Sequence, residues 1–240
     1  VIRDTTESHH LDKMRTDFVA NVSHELRTPL VTLQGYSEAI IDGMTESDDA
    51  TKEFASIIYD ESLRLARLVN DLLDLARIES GKEMMQFMPL DLGEFMPRVM
   101  RKFKQMAKEK GIELDASAPS RMLEADGDRL EQVFTNLIGN AIAHTDSGSI
   151  RLDAVEEEDG VVIRLIDTGT GIPKEDLPFV FERFYKADKA RTSGGKTGTG
   201  IGLAIVKNVI DAHHGSVDVS SVLGEGTTFT IRLPYTQPDA

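Results

Sequence analysis

The sequence predicts a chain of two parts. An all-α helical hairpin, which becomes a four-helix bundle when two copies pair, is followed by an α+β two-layer sandwich. Three observations carry this expectation. Apolar residues recur at helical spacing through the first third, with almost no strand signal. Helical and strand-like stretches then alternate from about residue 90 onward. Hydrophobic residues make up 40% of the 240 and charged residues 28%, which is enough apolar material for a core and too much for a disordered chain.

The first helical run begins at Leu11, Met14 and Phe18, leads into Val22 and Leu26, and continues through Leu30, Leu33 and Ile40. It stops in the polar turn Gly43–Asp49. A second run follows at Ile58, Leu65, Leu68, Leu72 and Leu75, ending near Ser80-Gly81-Lys82, where Gly is a natural helix stop. Two long helices joined by a short turn make an antiparallel hairpin. One hairpin cannot cover its own apolar stripe, so a homodimer is expected, packing against the rest of the chain being the alternative.

Beyond Gly81, helical spacing returns at Leu92, Phe95, Val99, Phe103 and Met106, and again at Leu130, Val133, Phe134, Leu137 and Ala141. Strand-like stretches are 150–155, 161–166, 216–220 and 227–233, by alternation or β-branched content. Residues 200–212 read as a further helix. Helices on one face of a mostly antiparallel sheet satisfy these elements. The polar stretch 186–199 suits a lid better than a core element.

Charge and composition exclude several functions. Lys plus Arg total 27 against 41 Asp plus Glu, so the net charge is 27 − 41 = −14, which argues against a nucleic-acid partner. There are no cysteines, hence no disulfides, thiolate nucleophiles or Cys-bound metals. No apolar run reaches the ~18 residues of a membrane-spanning helix. The chain begins with Val1 and is expected to be a piece of a longer protein.

Chemistry concentrates in a few short strings. In Phe18-Val-Ala-Asn-Val-Ser-His24-Glu25-Leu-Arg-Thr28-Pro29-Leu30, an acidic neighbour can hold one imidazole nitrogen as N–H and leave the other as a nucleophile. Adjacent helical residues do not face each other fully, but Pro29 removes a backbone donor and bends the helix nearby. Thr28 lies four residues on from His24, on its face, placed to hold a water. A bare His-Glu pair is more often a plain exposed pair. Asn136 and Asn140, at i and i+4, share one face of a helix, and amide oxygens suit Mg²⁺, a hard cation; a polar outward stripe is the plainer reading.

Asp167-Thr-Gly169-Thr-Gly171-Ile172-Pro173 directly follows a predicted strand. An Asp at a strand end can accept from the exocyclic amine of adenine while glycines let the backbone approach the base. Gly198-Thr-Gly200-Ile-Gly202-Leu203 opens a helix, whose N-terminal amides can hold phosphate. Pro178-Phe-Val-Phe181-Glu-Arg-Phe184-Tyr185 supplies aromatics that either brace the lid or fill the core. Gly195-Lys196-Thr197 is not a P-loop, because Ala190 stands where its first Gly belongs. His213-His214-Gly215 reads as a helix C-terminus, where a cationic or polar residue is favoured.

Taken in order, these strings resemble the H, N, G1, F and G2 boxes of sensor histidine kinases over about residues 11–235. The resemblance implies that His24 is the phosphoacceptor, Glu25 its polarising base and Thr28 the residue that positions water for dephosphorylation. It implies ATP and Mg²⁺ as cofactors, with Asn136, Asn140, His144, Asp167, Gly169, Gly171, Ile172, Lys186, Gly198, Gly200, Gly202 and Leu203 at the nucleotide and Asn140 on the metal. The family often has Lys or Arg at the position of Ala143, where Lys186 or Arg191 can substitute. The implied domains are a signalling helix at 1–17 after a PAS sensor domain (Ile2–Glu7 resembles the end of one), a dimerisation and phosphotransfer domain at 18–81, a linker at 82–89, and a Bergerat-fold ATP-binding domain at 90–236.

The implied partners are a second copy and the receiver domain of a response regulator. The implied place is the cytoplasmic portion of a membrane-anchored bacterial sensor, with any membrane contact made through segments absent from this piece. The strings Gly35–Ala39 and Pro178–Thr192 are most similar to the Bacillus-group respiration-response (ResE) type, the cell-wall WalK type being the rival. Two other classes remain open at this stage. A gyrase- or Hsp90-type ATPase has no use for the His-Glu-x-x-Thr helix, and a pseudokinase scaffold is hinted at by Ala143.

Overall fold

The computed structural model describes residues 5–79, 85–186 and 198–237, with side chains from residue 19 to 78 in the first segment. The side chains of Leu11 and Met14, the stop at Gly81, Arg191 and most of the expected lid lie outside the described residues. The chain divides into two compact units, Val1–Leu73 and Asp74–Ala240, and each is taken by itself.

The first unit is the predicted hairpin, α1 (Thr5–Ile41) and α2 (Asp48–Glu79, its last residues counted with the second unit). The turn is built from local chemistry. Gly43 adopts φ +65°, and the Ser47 hydroxyl accepts from Ala50 N at 3.2 Å, capping α2. Asp48 and Asp49 then place negative charge at the positive end of α2. Near the turn the helices are pinned by Tyr36 and Phe54, edge to face with ring centres 4.9 Å apart. Leu68 is buried, yet Val19, Leu30, Val31, Tyr59 and Leu63 are exposed. So much exposed apolar surface along one hairpin marks an interaction face.

The second unit holds a five-stranded sheet in the order β2-β4-β5-β7-β6. Its strands are β2 (Ile112–Ser117), β4 (Gly148–Glu156), β5 (Gly160–Asp167), β6 (Ser216–Val222) and β7 (Gly226–Pro234). A small sheet pairs β1 (Met88–Asp91) with β3 (Met122–Ala125). The helices are α3 (Leu92–Arg101), α4 (Lys104–Lys110), α5 (Gly127–His144) and α6 (Gly202–Ala212). Register aligns Leu152 opposite Leu165, Leu165 opposite Phe229, and Phe229 opposite Val219, an apolar row across four strands. Phe95 of α3 and Phe134 of α5 are both fully buried and meet edge to face at 5.9 Å. Truncating such a residue costs about 3–5 kcal/mol.

The four predicted strands are present, each lengthened at one or both ends. The sequence reading misses β1, β2 and β3: β1 and β3 are only four residues long, while β2, Ile112-Glu-Leu-Asp-Ala-Ser, does alternate apolar and polar residues and is passed over. The sheet is antiparallel except for β2 with β4, which run parallel because β3 and α5 intervene as a long crossover. The single run expected from Leu92 to Met106 is two helices. Lys102 N and Phe103 N bond three residues back, to Val99 O and Met100 O, and this tightening shifts the phase. Ala107 is therefore buried while Met106 is exposed. The last helix opens at Gly202 and not at Gly200, which is left-handed at φ +74°.

α6 ends where the sequence predicts, with His213 as its C-cap, but that residue is buried and neutral and not cationic. His213 is fully buried; its Nδ1 bonds Val209 O at 2.8 Å and its Nε2 accepts from Asp126 N at 3.0 Å. Accepting through Nε2 requires the neutral ring. Asp126 in turn caps α5 at Arg129 N and takes Gln86 N, so His213 ties three segments together. His214, not Gly215, takes the left-handed turn at φ +54°, since a Cβ at Gly215 would strike the Arg232 carbonyl. Among the described residues no helix is long and apolar enough to cross a membrane.

Burial holds the His213 pKa below its ordinary 6.5. The unfolded chain then binds a proton that the folded one refuses, so the stabilisation is complete above pH 6.5 and drains as the pH falls below it. Calorimetric melting from pH 7.5 to 5.5 is expected to lower the transition of the wild-type second unit. His213→Gln, which keeps a donor and an acceptor but does not titrate, should flatten that slope; an unchanged slope would remove His213 as its cause.

Candidate functional site

On α1, His24 and Thr28 are exposed, Glu25 is half-buried and Pro29 is buried. Successive helical residues point about 100° apart, so one of the His-Glu pair faces solvent while the other turns inward. Glu25 meets α2, where Arg64 Nη2 lies 3.8 Å from its Oε2. Pro29 has no N–H to offer the Glu25 carbonyl. Around it, Ser23, Thr28 and Thr32 donate their hydroxyls to the carbonyls of Val19, His24 and Thr28 at 2.9, 3.3 and 3.2 Å. Such back-bonding eases a helix bend, and it ties the Thr28 hydroxyl to the backbone of His24 itself.

In the second unit, α5 presents Asn136 and Asn140, both half-buried, one turn apart. Asn136 Nδ2 donates to Gly202 O at 3.3 Å, which fixes α5 against the opening of α6. Gly198, Gly202 and Leu203 stand at or just before that opening, with Gly198 beside Asn140. Gly200 backs onto Phe184, whose N–H bonds the Gly200 carbonyl at 2.8 Å; a side chain at 200 would strike that backbone. Phe184 itself is left-handed at φ +63°. Of the other aromatics, Phe181 packs edge-on against core Phe229 at 6.3 Å and Tyr185 donates its hydroxyl to Asp176 at 2.6 Å. These brace the segment at Lys186, which is half-buried.

The centre of the site is Asp167, at the end of β5 and 7% exposed. Its Oδ1 accepts from Gly169 N at 2.9 Å and from Thr227 N at 3.2 Å. Its Oδ2 makes no hydrogen bond among the described residues and is left to accept from a ligand. Burial holds this carboxyl above its ordinary pKa, against the pull of both amides and of His144. The turn around it has no spare room. A Cβ at Gly169 would stand 2.9 Å from both Asp167 Oδ1 and Thr145 Oγ1, and one at Gly171 (φ +69°) would collide with the Val222 carbonyl. Ile172 N donates to Ser221 Oγ at 2.8 Å, and His144 O accepts from Thr170 N at 3.0 Å, locking the turn between β6 and the end of α5.

The structure thus gathers Asn136, Asn140, His144, Asp167, Gly169, Gly171, Ile172 and the start of α6 in one unit. His24, Glu25 and Thr28 belong to the other. Three residues of the nucleotide region escaped the sequence reading: Thr227 and Ser221, which share a 3.0 Å bond beside Asp167, and Thr145, whose fully buried hydroxyl has no partner. Gly224-Glu-Gly226-Thr227 at a strand start was the available signal. Among the described residues no three His, Cys, Asp or Glu side chains gather as a metal site. The donor set that fits a cation here is the Asn140 amide oxygen, a hard ligand of the kind Mg²⁺ accepts.

Comparison with known proteins agrees with this arrangement. Residues 14–81 match the His Kinase A (phospho-acceptor) domain, and residues 125–237 match the histidine kinase-, DNA gyrase B- and HSP90-like ATPase family. The chain is 47% identical to the sensor protein SrrB of Staphylococcus aureus over 97% of its own length; it spans 40% of the length of that relative. It superposes on the Acinetobacter baumannii histidine kinase AdeS with a TM-score of 0.74 at 28% identity, covering 88% of this chain and 98% of that one. It also superposes on full-length ShkA in complex with AMPPNP, with a TM-score of 0.69 at 29% identity, covering 93% and 47%. With a phospho-acceptor domain ahead of a histidine-kinase-type ATPase domain in one chain, the protein belongs to the sensor histidine kinases.

Proposed function

We propose that this chain transfers the γ-phosphoryl group of ATP to its own His24, and from there to an aspartate of a response-regulator receiver domain. The observation that carries the reading is the union, in one chain, of an exposed histidine on a helix that carries Pro29 and a buried aspartate with one carboxylate oxygen left unbonded. A free-standing ATPase uses only the second.

In this reading the adenine amine donates to Asp167 Oδ2, the oxygen its backbone amides leave unbonded. Gly169 and Gly171 admit the base, with Ile172 and His144 at its edge. The phosphates run toward Asn136, Asn140 and Lys186 and the opening of α6 at Gly198, Gly200, Gly202 and Leu203. ShkA, bound to an ATP analogue, supports a nucleotide in this fold. Asn140 would hold Mg²⁺, which would supply charge neutralisation between phosphate oxygens. Neutral His24 attacks the γ-phosphorus in line, ADP leaves, and Glu25 stabilises the ring as positive charge develops on it. Thr28 holds water for the reverse, hydrolytic arm.

The exposed apolar positions of the hairpin support a homodimer closed as a four-helix bundle. Domains at 18–81 and 90–236, a linker at 82–89 and an input helix at 1–17 are the matching division. The wider protein is proposed as a membrane-anchored sensor with this portion in the cytoplasm. The strings Gly35–Ala39 and Pro178–Thr192 favour the respiration-response type.

Labelled ATP tests the acceptor. His24→Gln should abolish the label while nucleotide affinity stays within a few-fold; label surviving on the variant, or mapping to His144 or His213, would sink the assignment.

Asp167 tests the base. Asn can still accept both backbone amides through one oxygen, and it removes the cost of a buried carboxylate, so Asp167→Asn should melt no lower than wild type at neutral pH. It turns a donor toward the adenine amine, so ATP affinity should fall at least about ten-fold. Unchanged affinity, measured by calorimetric titration, would detach Asp167 from the base.

Thr28 separates the two arms. Thr28→Ala should keep autophosphorylation near the wild-type rate and slow hydrolysis of a phosphorylated regulator by about ten-fold, whereas Glu25→Ala loses autophosphorylation first. Equal loss of autophosphorylation in both variants would mean that Thr28 shapes the helix and does not hold the water.

A further inference from the structure

We infer that Arg64, on the second helix of the hairpin, is a positioning residue for the phosphorylation of His24. It orients the carboxylate of Glu25 from across the hairpin, so the register of α1 against α2 governs how that carboxylate meets the imidazole. The inference rests on the reading of His24 and Glu25 above and adds the control of that pair.

The geometry is a three-membered charge array. Arg64 Nη1 bonds Glu61 Oε1 at 2.7 Å one turn back on its own helix, and Nη2 reaches Glu25 Oε2 of α1 at 3.8 Å. The side chains of Arg64, Glu25 and Glu61 are 21%, 24% and 15% exposed, so water screens them only in part. The arms of one planar guanidinium serve different carboxylates, a task that a lysine ammonium cannot match in geometry. Glu61 holds the guanidinium plane; the plane then presents its other edge to Glu25.

A carboxylate accepts from several donors at once, so engagement of Oε2 by Arg64 is compatible with service to the imidazole. What Arg64 changes is orientation. Glu25 is half-buried and His24 exposed, about 100° around the helix from each other, and the Glu25 side chain has several rotamers to choose from. Pinning one oxygen to α2 selects among them. The 3.8 Å separation sits near the outer limit of an ion pair, where a small slide or twist of α1 makes or breaks the contact. At 3.8 Å the pair adds little stability, and its value here is placement.

The test measures His24 labelling by ATP in the whole chain for Arg64→Gln and Arg64→Lys, each made in the wild-type and in the Glu25→Gln background. Arg64→Gln is expected to lower kcat about ten-fold, with KM for ATP within two-fold and the thermal transition within a few degrees. Arg64→Lys should recover part of the loss. In the Glu25→Gln background, Arg64→Gln should cost less than two-fold, because the group it orients is gone. Glu61→Gln, which keeps Arg64 but frees its plane, should lower kcat only when Glu25 is present, and it carries the test if Arg64→Gln unfolds. Equal losses in both backgrounds, or wild-type labelling by Arg64→Gln, would overturn the inference alone. Absence of label on His24 in the unsubstituted chain would overturn the kinase reading and the inference with it.

Discussion

One buried carboxylate organises the second unit. Asp167 Oδ1 receives an amide from its own turn, at Gly169, and another from the start of β7, at Thr227, so a single oxygen joins segments 60 residues apart. Burial makes the charge costly, and the two amides with His144 offset part of that cost. The neighbouring features follow from this knot. Gly169 must lack a side chain because Thr145 and Asp167 occupy the space, and Ser221 bonds both the Gly226 carbonyl and Ile172 N, closing the turn from the other side. The carboxylate is held by the backbone through one oxygen, and its second makes no hydrogen bond among the described residues.

The first unit is organised in the opposite sense. Among its described residues the Tyr36–Phe54 contact and an ion pair join the two helices, and apolar side chains such as Val31, 60% exposed, face solvent. Its polar chemistry sits on short-range geometry: a hydroxyl one turn from a histidine, a proline that removes one amide, an arginine between two glutamates. A helix pair of this kind leaves its side chains accessible, as the exposure of His24 and Val31 shows.

Much of this was legible in the sequence because it is periodic or punctuated. Leu130, Val133, Phe134, Leu137 and Ala141 step with the helix and are buried; Asp167-Thr-Gly-Thr-Gly follows a β-branched run and forms a turn. The four-residue strands β1 and β3 were not legible, since they gain their pairing from each other across the chain, whereas the alternation of β2 was legible and overlooked. His213 misled for a related reason. Its neighbours spell a helix end, but the acceptor role of Nε2 comes from Asp126 N, 87 residues away. Thr227 was missed because its contribution is a backbone amide, and the Gly-x-Gly-Thr turn that presents it carries no chemistry of its own. Arg64 is one of many charges on α2, and only the fold shows which carboxylates it meets.

The long span closed by the Asp167–Thr227 bond has a consequence for the order of assembly. Contacts between residues so far apart pay their loop-closure entropy late, after the local helices and the β4–β5 hairpin have formed. During synthesis a chain that has reached α6 already contains Asp167, both asparagines and the glycines of the turn, yet the amide that orients the carboxylate has not arrived. On the proposed reading, purine recognition emerges only with β7. On that reading, a nucleotide bound once β7 has docked draws the folding equilibrium toward the finished domain by mass action.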